Sequence, residues 1–508
     1  MSASPVSVEV AAPSFLATRQ GKLTLAFLCA VGFLDFVGAA IVNVALPAIR
    51  ADLHFSVQNL QWVLSGYLIT YGGFMLLGGR AADLLGRRRV LVAGIVVFGV
   101  TSLAGGLATN AGMLVGARLA QGVGAAMMLP AALSILTTTF STASDRYKAL
   151  GMWGAMAGLS SAVGVFFGGI LTEGPGWRWV LLINIPICVV VFFAAFRLVD
   201  ADPHNAPLKN FDSLGAVLGT AGMLLLVYAL VKAPTDGWGT ARTIGELATS
   251  GILLAAFLYN EHRHRNPLVP LSIFRIRGLG AANAAQVIAM AGFYSMFFFL
   301  TLYMQNVLGY SEIKGGSAYL PVTFGVAISA AVASTLFGRL GTRPIIVAGA
   351  VLASGAVFWL SRIPVHGTYL TNLLPPLLIM SFGLGAVFVG VTTAANAGVP
   401  ADKAGLAAAL INSSTWIGGA LGLAIFSAIA TARTNHLLAM GIAPPVALTS
   451  GFRYALVACG IFLAAAALIA LRAPNTRGEA PDGVTETISV PEGADTTART
   501  PALETGEY

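Results

Sequence analysis

The stretch that decides the fold is LDFVGAAIVNVALPAI, residues 34–49, which places one carboxylate, Asp35, inside a long apolar run. The run covers about residues 23–49, long enough for a helix that rises about 1.5 Å per residue to cross a bilayer. An ionised carboxylate at that depth costs roughly 2.5 to 3.5 kcal/mol on insertion scales, so it should face protein or a water-filled cavity. We therefore predict that Asp35 carries a proton. A structural carboxylate satisfied by Asn43 or by a neighbouring helix is the alternative.

Composition indicates a polytopic membrane protein. Of the 508 residues, 56% are hydrophobic and only 10% are charged, and the mean hydropathy is +0.81. Fourteen apolar runs are candidate spans, and the eighth is short. They cover residues 23–49, 62–79, 90–108, 112–140, 149–171, 180–198, 214–231, 244–259, 279–303, 316–337, 345–360, 373–398, 404–432 and 454–471.

Loop charges predict the orientation. On a fourteen-span topology most of the 29 lysines and arginines fall on the side that holds both termini, and the positive-inside rule makes that side cytoplasmic. We therefore expect a multi-pass protein of the cell (cytoplasmic) membrane with both termini in the cytoplasm. Loss of the eighth span would invert every later loop. Because the positive charge is spread over short loops, no nucleic-acid partner is expected.

The loop between spans 2 and 3 carries the most specific motif, GRAADLLGRRR, which begins at Gly79. Gly79 and Gly86 permit a tight turn, and Asp83 can accept hydrogen bonds from a helix N-terminus or pair with an arginine. Together with Arg87 and Arg88, these residues would form a conformational latch on the cytoplasmic side. An ordinary positive-inside loop is the alternative, but it explains the arginines and not the spaced glycines and aspartate.

Several motifs together resemble the major facilitator superfamily, and more narrowly its fourteen-span drug:proton antiporter family of multidrug and antibiotic exporters. The loop after span 2 is similar to the superfamily's signature loop, although Leu84 stands where a basic residue is common. The stretch around Asp35 is similar to the first-span motif of the drug-exporting branch. Further matches are RLAQGVG at 118–124, WRWVLLINIPI at 177–187 and YMQNVLGYSEIKGG at 303–316, and the resemblance covers roughly residues 23–472.

The resemblance implies an all-α polytopic membrane protein of major-facilitator type, with two six-helix bundles plus two extra helices, 14 transmembrane helices in all. The expected domains are an N-terminal cytoplasmic tail, an N-terminal bundle, an extra helix pair with flanking cytoplasmic loops, a C-terminal bundle and a disordered acidic cytoplasmic tail. Their bounds are residues 1–22, 23–198, 199–278, 279–472 and 473–508. The loop GRLGTR, which begins at Gly338, reads as a degraded echo of the first-half motif, as two parallel repeats predict.

Span 4 places an arginine within the membrane. Arg118 and Gln121 are three residues apart on one helix and share a face, and a buried arginine within a span points to function. The family is thought to use this arginine in proton coupling. We therefore expect Arg118 to keep Asp35, or a water beside it, deprotonated until a proton arrives from outside. The alternative is that Arg118 snorkels to the headgroups at the outer end of the span.

Span 5 departs from the family pattern, because Val165 stands where the resemblance predicts a proline after a glycine. The missing proline should reduce any kink at that point. Small residues at spacings of four remain, and they predict close helix contacts. These residues are Gly154, Gly158, Gly164 and Gly168.

The second half supplies many of the side chains expected in a substrate cavity. Aromatic rings give adaptable apolar contact area that suits bulky amphiphiles, although lipid-facing or core packing explains any single ring equally well. The expected lining residues are Asn43, Gln121, Asn283, Gln286, Tyr294, Phe297, Asn412 and Trp416. Between residues 279 and 471 the only acidic residues are Glu312 and Asp402, both in predicted loops. We therefore expect neutral, zwitterionic or singly charged amphiphiles as cargo.

These features predict a proton-coupled antiporter that exports drugs, antibiotics or similar amphiphiles by alternating access, as a monomer. Its partners would be the small-molecule substrate, protons and the lipid bilayer. No catalytic triad, phosphate loop or metal cluster stands out, so we expect neither an enzyme nor a cofactor or metal site. A narrow-specificity metabolite exporter or a proton-coupled importer is the alternative. A non-transporting membrane sensor is less favoured, because Asp35, Arg118 and the loop motif are intact.

Overall fold

Fourteen long helices make up the described part of the protein. The computed structural model describes residues 15–140, 142–200, 212–265, 267–276, 278–396, 399, 404–473 and 475–476. The long helices are α1 (Arg19–Leu53), α2 (Trp62–Leu85), α3 (Arg87–Gly106), α4 (Ala111–Thr139), α5 (Ala143–Glu173), α6 (Asn184–Leu198), α7 (Ser213–Asp236), α8 (Ala241–Arg263), α9 (Leu279–Asn306), α10 (Leu320–Leu340), α11 (Thr342–Leu360), α12 (Leu374–Asn396), α13 (Ala404–Ala439) and α14 (Pro444–Ala470). Among the described residues, thirteen helical segments are long and apolar enough to cross a membrane. The remaining long helix, α5, has 31 residues.

The helices match the predicted spans and differ mainly at their ends. The short eighth span corresponds to α8, which has 23 residues, so the even number of long helices is kept. In the sixth span the helix is interrupted at Ile183, between the short helix Trp179–Leu182 and α6. The last helix begins at Pro444 rather than at residue 454, because proline fits the first turn, where its missing N–H leaves no bond unmade.

Both ends of the described chain lie at the same end of the helix assembly, which we call the terminus face. The amide of Leu16, just before α1, donates to Asp145 Oδ2 at the start of α5 (3.1 Å). The amide of Thr342, at the start of α11, donates to the carbonyl oxygen of Thr476 beyond α14 (2.9 Å). The opposite end is called the distal face below.

The helices pack as two groups of six with the same internal pattern. α1 packs on α5 as α9 packs on α13, and α4 contacts α2 and α3 as α12 contacts α10 and α11. α3 also contacts α6, as α11 contacts α14. We call α1–α6 the N bundle and α9–α14 the C bundle. This repetition is the arrangement that two parallel repeats produce.

The loops after α2 and after α10 have matching geometry. Gly86 has a φ of 96° and Gly341 a φ of 80°, both in the left-handed region that favours glycine. After the first loop, Arg88 Nη1 donates to the carbonyl oxygen just beyond α6 (3.1 Å). After the second, Arg343 Nε donates to the carbonyl oxygen just beyond α14 (2.8 Å). The second loop is therefore a structural counterpart of the first.

The extra helices α7 and α8 pack on each other, and only one of them makes extensive contact with the bundles. α7 contacts α2 of the N bundle and α13 of the C bundle. The most apolar stretch of α8 is only 11% buried, as expected of a helix that faces lipid on most sides. α7 is therefore positioned to respond to movement of either bundle.

The two bundles meet along two seams. One joins α2 to α13, and the other joins α5 to α10 and to the short helix Glu312–Ser317. The hydrogen bonds that we describe between the bundles lie toward the distal face. Gln305 Nε2 donates to the carbonyl oxygen of Val44 (3.0 Å), and the amide of Ile313 donates to Glu173 Oε2 (3.2 Å).

Candidate functional site

Asp35 lies in the interior of the N bundle with an exposed fraction of 0%. The hydroxyl of Tyr67 donates to Asp35 Oδ1 (3.3 Å), and the hydroxyl of Tyr71 donates to Asp35 Oδ2. The two tyrosines are four residues apart on α2 and therefore share a face. The partners that we describe for Asp35 come from this neighbouring helix, and Asn43 is not among them.

Arg118 is equally buried, with an exposed fraction of 1%. Its Nε donates to the carbonyl oxygen of Val63 (2.9 Å), and its Nη1 donates to the carbonyl oxygen of Gly38 (3.3 Å) and to Gln121 Oε1 (2.6 Å). The snorkelling alternative is therefore wrong, since the guanidinium is held inside the bundle. One side chain ties α4 to α1 and α2.

Tyr67 stands between the two charged groups. The guanidinium carbon of Arg118 lies 4.2 Å from the centre of the Tyr67 ring, within cation–π range, and the hydroxyl of the same ring reaches Asp35. The ion pairs of the described residues do not include one between Arg118 and Asp35. Arg118 and Asp35 are therefore linked through the Tyr67 side chain rather than by direct contact.

Close helix approach makes this arrangement possible. A Cβ on Gly122 of α4 would lie 2.5 Å from the carbonyl oxygen of Tyr67 on α2, so only glycine lets these helices come so near. On the other side of α4, Gln121 Nε2 donates to Ser102 Oγ of α3 (2.7 Å), which also accepts from Asn184 Nδ2 of α6 (3.4 Å). A buried polar network thus extends from Arg118 across the N bundle.

An aromatic chain leads from Asp35 into the C bundle. The ring of Tyr71 stacks on Trp416 of α13, with centroids 4.4 Å apart and an interplanar angle of 22°. Trp416 in turn lies 5.9 Å from the ring of Tyr294 on α9. Asp35 is therefore separated from the seam between the bundles by one residue, Tyr71.

The amides predicted for the cavity in the C bundle lie on α9 and α13. Gln286 Nε2 donates to Thr415 Oγ1 (2.8 Å), and Asn283 Oδ1 accepts from Ser414 Oγ (2.8 Å). Asn412 Nδ2 donates to a carbonyl oxygen of its own helix (3.0 Å). The structure thus brings Asn283 and Gln286 to the α9–α13 contact and does not bring Asn412 to them by a hydrogen bond that we describe.

Several buried polar atoms near the seam have no protein partner among the described residues. They are Asn43 Oδ1, Gln286 Oε1, Ser413 Oγ and Trp416 Nε1. Buried polar atoms are normally paired with protein or water, so these atoms are available to a bound molecule. Phe297 lies close by on α9, with its ring centre 4.7 Å from that of Tyr319.

The predicted latch is described only in part. Gly79 faces Pro130 of α4, to which a Cβ on the glycine would lie 3.5 Å. Arg87 Nη1 donates to Thr138 Oγ1 of α4 (3.0 Å), and Arg88 contacts the carbonyl oxygen beyond α6 as noted above. The side chain of Asp83 lies outside the described residues. The arginines therefore bind within the N bundle.

Two of the four predicted contact glycines pack on α1. A Cβ on Gly164 would lie 3.4 Å from Val37 Cα, and one on Gly168 would lie 2.6 Å from the carbonyl oxygen of Ile41. Gly154 and Gly158 lie in α5, but their surroundings are outside the described residues. At the position without proline, the carbonyl oxygen of Val165 would lie 2.6 Å from a Cβ on Gly316.

Sequence reasoning missed the tyrosines and the serine that connect the charged groups. Tyr67 and Tyr71 form an i, i+4 pair of hydroxyl-bearing rings in an apolar span, and that spacing could have marked them as a polar stripe. Ser102 carries no such signal, because isolated serines are common in spans.

The site combines a buried carboxylate, hydroxyl donors and aromatic surface. Such a set can bind a proton and an organic molecule. In the part of the chain that the structure describes, no three His, Cys, Asp or Glu side chains are grouped to hold a metal ion.

Comparisons with known proteins agree with this architecture. Residues 28–423 match the sequence model of the Major Facilitator Superfamily. The chain is 36% identical to the puromycin resistance protein pur8 of Streptomyces alboniger over 84% of its length and 85% of the relative's. It is 36% identical to the cephamycin export protein CmcT of Amycolatopsis lactamdurans over 92% and 95% of the two chains.

A solved structure shares the fold. A bacterial homologue of the human lysosomal transporter Spinster, in an inward-facing and occupied conformation, superposes with a TM-score of 0.65 at 16% identity, covering 89% of this chain and 97% of that one. The resemblance seen in the motifs, and the expectation of a transporter rather than an enzyme, are confirmed. This multi-pass membrane protein belongs to the Major Facilitator Superfamily.

Proposed function

We propose that the protein exports antibiotics or similar amphiphilic small molecules from the cytoplasm in exchange for protons. The observation that carries the proposal is the buried Asp35, whose two tyrosine donors connect it to Arg118 on one side and to Trp416 of the C bundle on the other. The names of the two relatives, a puromycin resistance protein and a cephamycin export protein, support an antibiotic as cargo.

Protonation of Asp35 would change the seam between the bundles. An ionised carboxylate accepts hydrogen bonds from both Tyr67 and Tyr71, whereas a neutral carboxyl group has one oxygen that donates instead. The neutral group can still accept, but its proton needs an acceptor, so the hydrogen bonds of the two tyrosines must rearrange. Because Tyr71 stacks on Trp416, a proton on Asp35 favours a different contact between α2 and α13.

Arg118 would act on this equilibrium through Tyr67. Its charge favours the ionised carboxylate, and its bonds to the carbonyl oxygens of Val63 and Gly38 hold it in place. A proton moving inward gains about 2.3 kcal/mol per 100 mV of membrane potential. That energy is of the size needed to shift a two-state equilibrium between bundle arrangements.

Cargo would bind at the seam, between α2 and the α9–α13 pair. The available groups are neutral: amide and hydroxyl oxygens, the indole N–H of Trp416 and the rings of Tyr294 and Phe297. Among the described residues, Asp35 is the carboxylate that we find beside this region, behind Tyr71, so neutral, zwitterionic or singly charged amphiphiles fit best.

The two hydrogen bonds that join the bundles near the distal face support a cargo entrance on the terminus face, which we take to be cytoplasmic from the distribution of loop charges. The remaining assignments follow the same scheme. They include both termini in the cytoplasm, a monomer in the cytoplasmic membrane, domain bounds at residues 22, 198, 278 and 472, and a latch centred on the loop after α2. Opening of the distal seam at Gln305 and Ile313 would release the cargo outside.

The proposal is tested with inside-out membrane vesicles that carry an imposed proton gradient. We expect puromycin uptake driven by the gradient in the native chain and none with Asp35→Asn. Asp52→Asn is the matched control, because Asp52 lies on the same helix but is exposed and paired with Arg178 (2.7 Å). Gradient-driven uptake that survives Asp35→Asn would return this carboxylate to a structural role.

The name of CmcT, a cephamycin export protein, supports a second candidate, a narrow-specificity metabolite exporter. A panel of unrelated antibiotics in the same vesicles separates the two. Uptake of one chemical class alone supports the narrow exporter, whereas uptake of several classes supports a multidrug exporter.

A further inference from the structure

A pair of buried carboxyl groups lies apart from the site around Asp35, at the terminus-face end of α7 and α8. Asp212 precedes α7, and its Oδ1 accepts from the amide of Gly215 (2.8 Å), which caps the helix. Asn260, near the end of α8, donates through Nδ2 to both carboxylate oxygens of Asp212 (2.9 and 2.8 Å). Asp212 is 2% exposed and its neighbour Glu261 is also 2% exposed.

Glu261 is held in a fixed orientation, with one oxygen directed at Asp212. Its Oε2 accepts from the amide of Val269 (2.7 Å), in the segment that follows α8. Its Oε1 is buried and forms no hydrogen bond with the described residues. A Cβ on Gly215 would lie 2.6 Å from Asp212 Oδ2 and 2.7 Å from Glu261 Oε1. The two carboxyl groups therefore converge on one point, with an oxygen of each within 2.7 Å of it.

A proton shared by the two carboxyl groups would make this contact favourable. Two ionised carboxylates are both acceptors and repel each other, whereas a carboxyl group donates to a carboxylate. The unpaired Oε1 of Glu261 gains its missing partner when one proton is held between the two groups.

The charged and titratable groups around the pair lie at and just after the end of α8. His264 Nδ1 lies 3.9 Å from Asp212 Oδ2, on the segment after α8. Arg263 lies over the ring of Tyr259, 5.6 Å from its centre, and the flanking His262 and Arg265 are exposed. Loss of the shared proton adds negative charge to the pair, so it increases the repulsion between the two carboxyl groups.

The position of α7 gives the pair a route to the bundles. α7 contacts α2, which carries Tyr67 and Tyr71, and α13, which carries Trp416. The contact with α2 is tight, because a Cβ on Gly73 would lie 2.5 Å from Thr220 Oγ1 of α7. A change in how the start of α7 is held would therefore alter the contacts of α7 with both bundles.

We propose that Asp212 and Glu261 share one proton and form a second proton-binding site, which clasps the start of α7 to the end of α8. At low pH the proton is present and the clasp is closed. As pH rises and the proton leaves, the two negative charges separate, and α7 and the segment after α8 become less firmly held. The clasp stands on contacts separate from those of Asp35, so it holds whether or not the chain exports antibiotics.

A proton count on the purified full-length protein tests the clasp without any transport assay. We expect Glu261→Gln to release about one proton fewer per chain than the native protein between mildly acidic and alkaline pH. The glutamine amide can donate to Asp212 in place of the shared proton, so the fold is kept. Glu246→Gln is the matched control, because Glu246 lies on the same helix and bonds to Arg242 (3.0 Å) rather than to a second carboxyl group.

Hydrogen exchange supplies a second readout. With rising pH, the start of α7 and the segment after α8 should lose protection in the native protein, beyond the intrinsic rise in exchange rate, and should keep it in Glu261→Gln. Asp212→Asn replaces this variant if it fails to fold, since asparagine also caps helices. Equal proton release by the native and Glu261→Gln proteins would overturn the shared proton.

Discussion

The N bundle and the C bundle share one arrangement of helices but bury different polar side chains. Each repeats the same helix contacts and the same left-handed glycine in its second loop. The N bundle buries Asp35 and Arg118, whereas the only acidic residues between 279 and 471 are Glu312 and Asp402. The repeated fold thus has matching geometry in its two halves and buries these two charged side chains in one of them, which is the asymmetry on which the proposed proton site rests.

Equivalent glycines make the comparison residue by residue. Gly122 of α4 faces the carbonyl oxygen of Tyr67 on α2 (2.5 Å from an added Cβ), and Gly385 of α12 faces that of Val326 on α10 (2.4 Å). Four residues before each glycine stand Arg118 in the N bundle and Ser381 in the C bundle. The guanidinium reaches three helices, whereas the serine hydroxyl donates to a carbonyl oxygen of its own helix (2.7 Å).

The largest difference between the bundles should appear when these two positions are changed. Arg118→Lys keeps a charge but cannot reproduce the fork of donors to Val63, Gly38 and Gln121. Leaving those buried acceptors unpaired should lower the free energy of unfolding by about 3 kcal/mol, and loss of the Tyr67 contact should reduce proton-driven export about 100-fold. The measurements are denaturation in detergent and uptake by inside-out vesicles.

Ser381→Ala is the matched change in the C bundle. It removes only a bond within one helix, so we expect a loss of less than about 1 kcal/mol and export close to that of the native chain. Similar losses for Arg118→Lys and Ser381→Ala would mean that the two bundles are not functionally distinct at this position.

A smaller effect is expected at the tyrosines that contact the seam. Tyr71→Phe keeps the ring that stacks on Trp416 and removes the hydroxyl that donates to Asp35. A hydrogen bond to a charged group contributes about 1.5 kcal/mol or more, which corresponds to about a tenfold fall in export at a fixed gradient. The dependence of export on external pH should shift as well, because the acceptor is the proposed proton carrier.

Tyr319→Phe provides the control in the C bundle. The Tyr319 hydroxyl is buried and lies 3.0 Å from Thr301 Oγ1 and 3.1 Å from the carbonyl oxygen of Phe297, so its partners among the described residues include no carboxylate. Its loss should lower stability without shifting the pH dependence. A pH shift in Tyr319→Phe, or none in Tyr71→Phe, contradicts the assignment of proton chemistry to the N bundle alone.

The helices could be predicted because a bilayer demands long apolar runs, and such runs are plain in a sequence. The eighth span was harder, since α8 ends in the polar stretch Asn260–Arg263, and only the 23-residue helix fixes its length. The interruption at Ile183 did carry a signal that was not used, because Pro186 lacks the N–H that a continuous helix would bond to the carbonyl oxygen of Leu182.

The site could be predicted only as separate residues. Asp35 and Arg118 stand out individually because charge in a span is rare, but their connection through Tyr67 depends on how closely α2 and α4 approach. Asp212 and Asn260 show the same limit, since they are 48 residues apart and look like ordinary polar residues at helix ends. Contacts between distant helices are set by packing, which one sequence does not state.

The smallest expected effect concerns the loop glycines that the bundles share. Gly341→Ala places a side chain at a φ of 80° and also brings its Cβ within 2.1 Å of Asn475 Oδ1. The positive φ alone costs about 1 kcal/mol, as it does at Gly86. The collision adds a further cost, because Asn475 is held in place by the hydrogen bond that it accepts from the amide of Arg343 (3.1 Å). In an Asn475→Ala background the collision is absent, so Gly341→Ala should cost less there than in the native chain, when both are measured by thermal denaturation. Gly86→Ala should cost the same in both backgrounds, because distant sites are additive. A coupling of Gly86 to Asn475 as large as that of Gly341 would mean that the C-terminal segment does not distinguish the two loops.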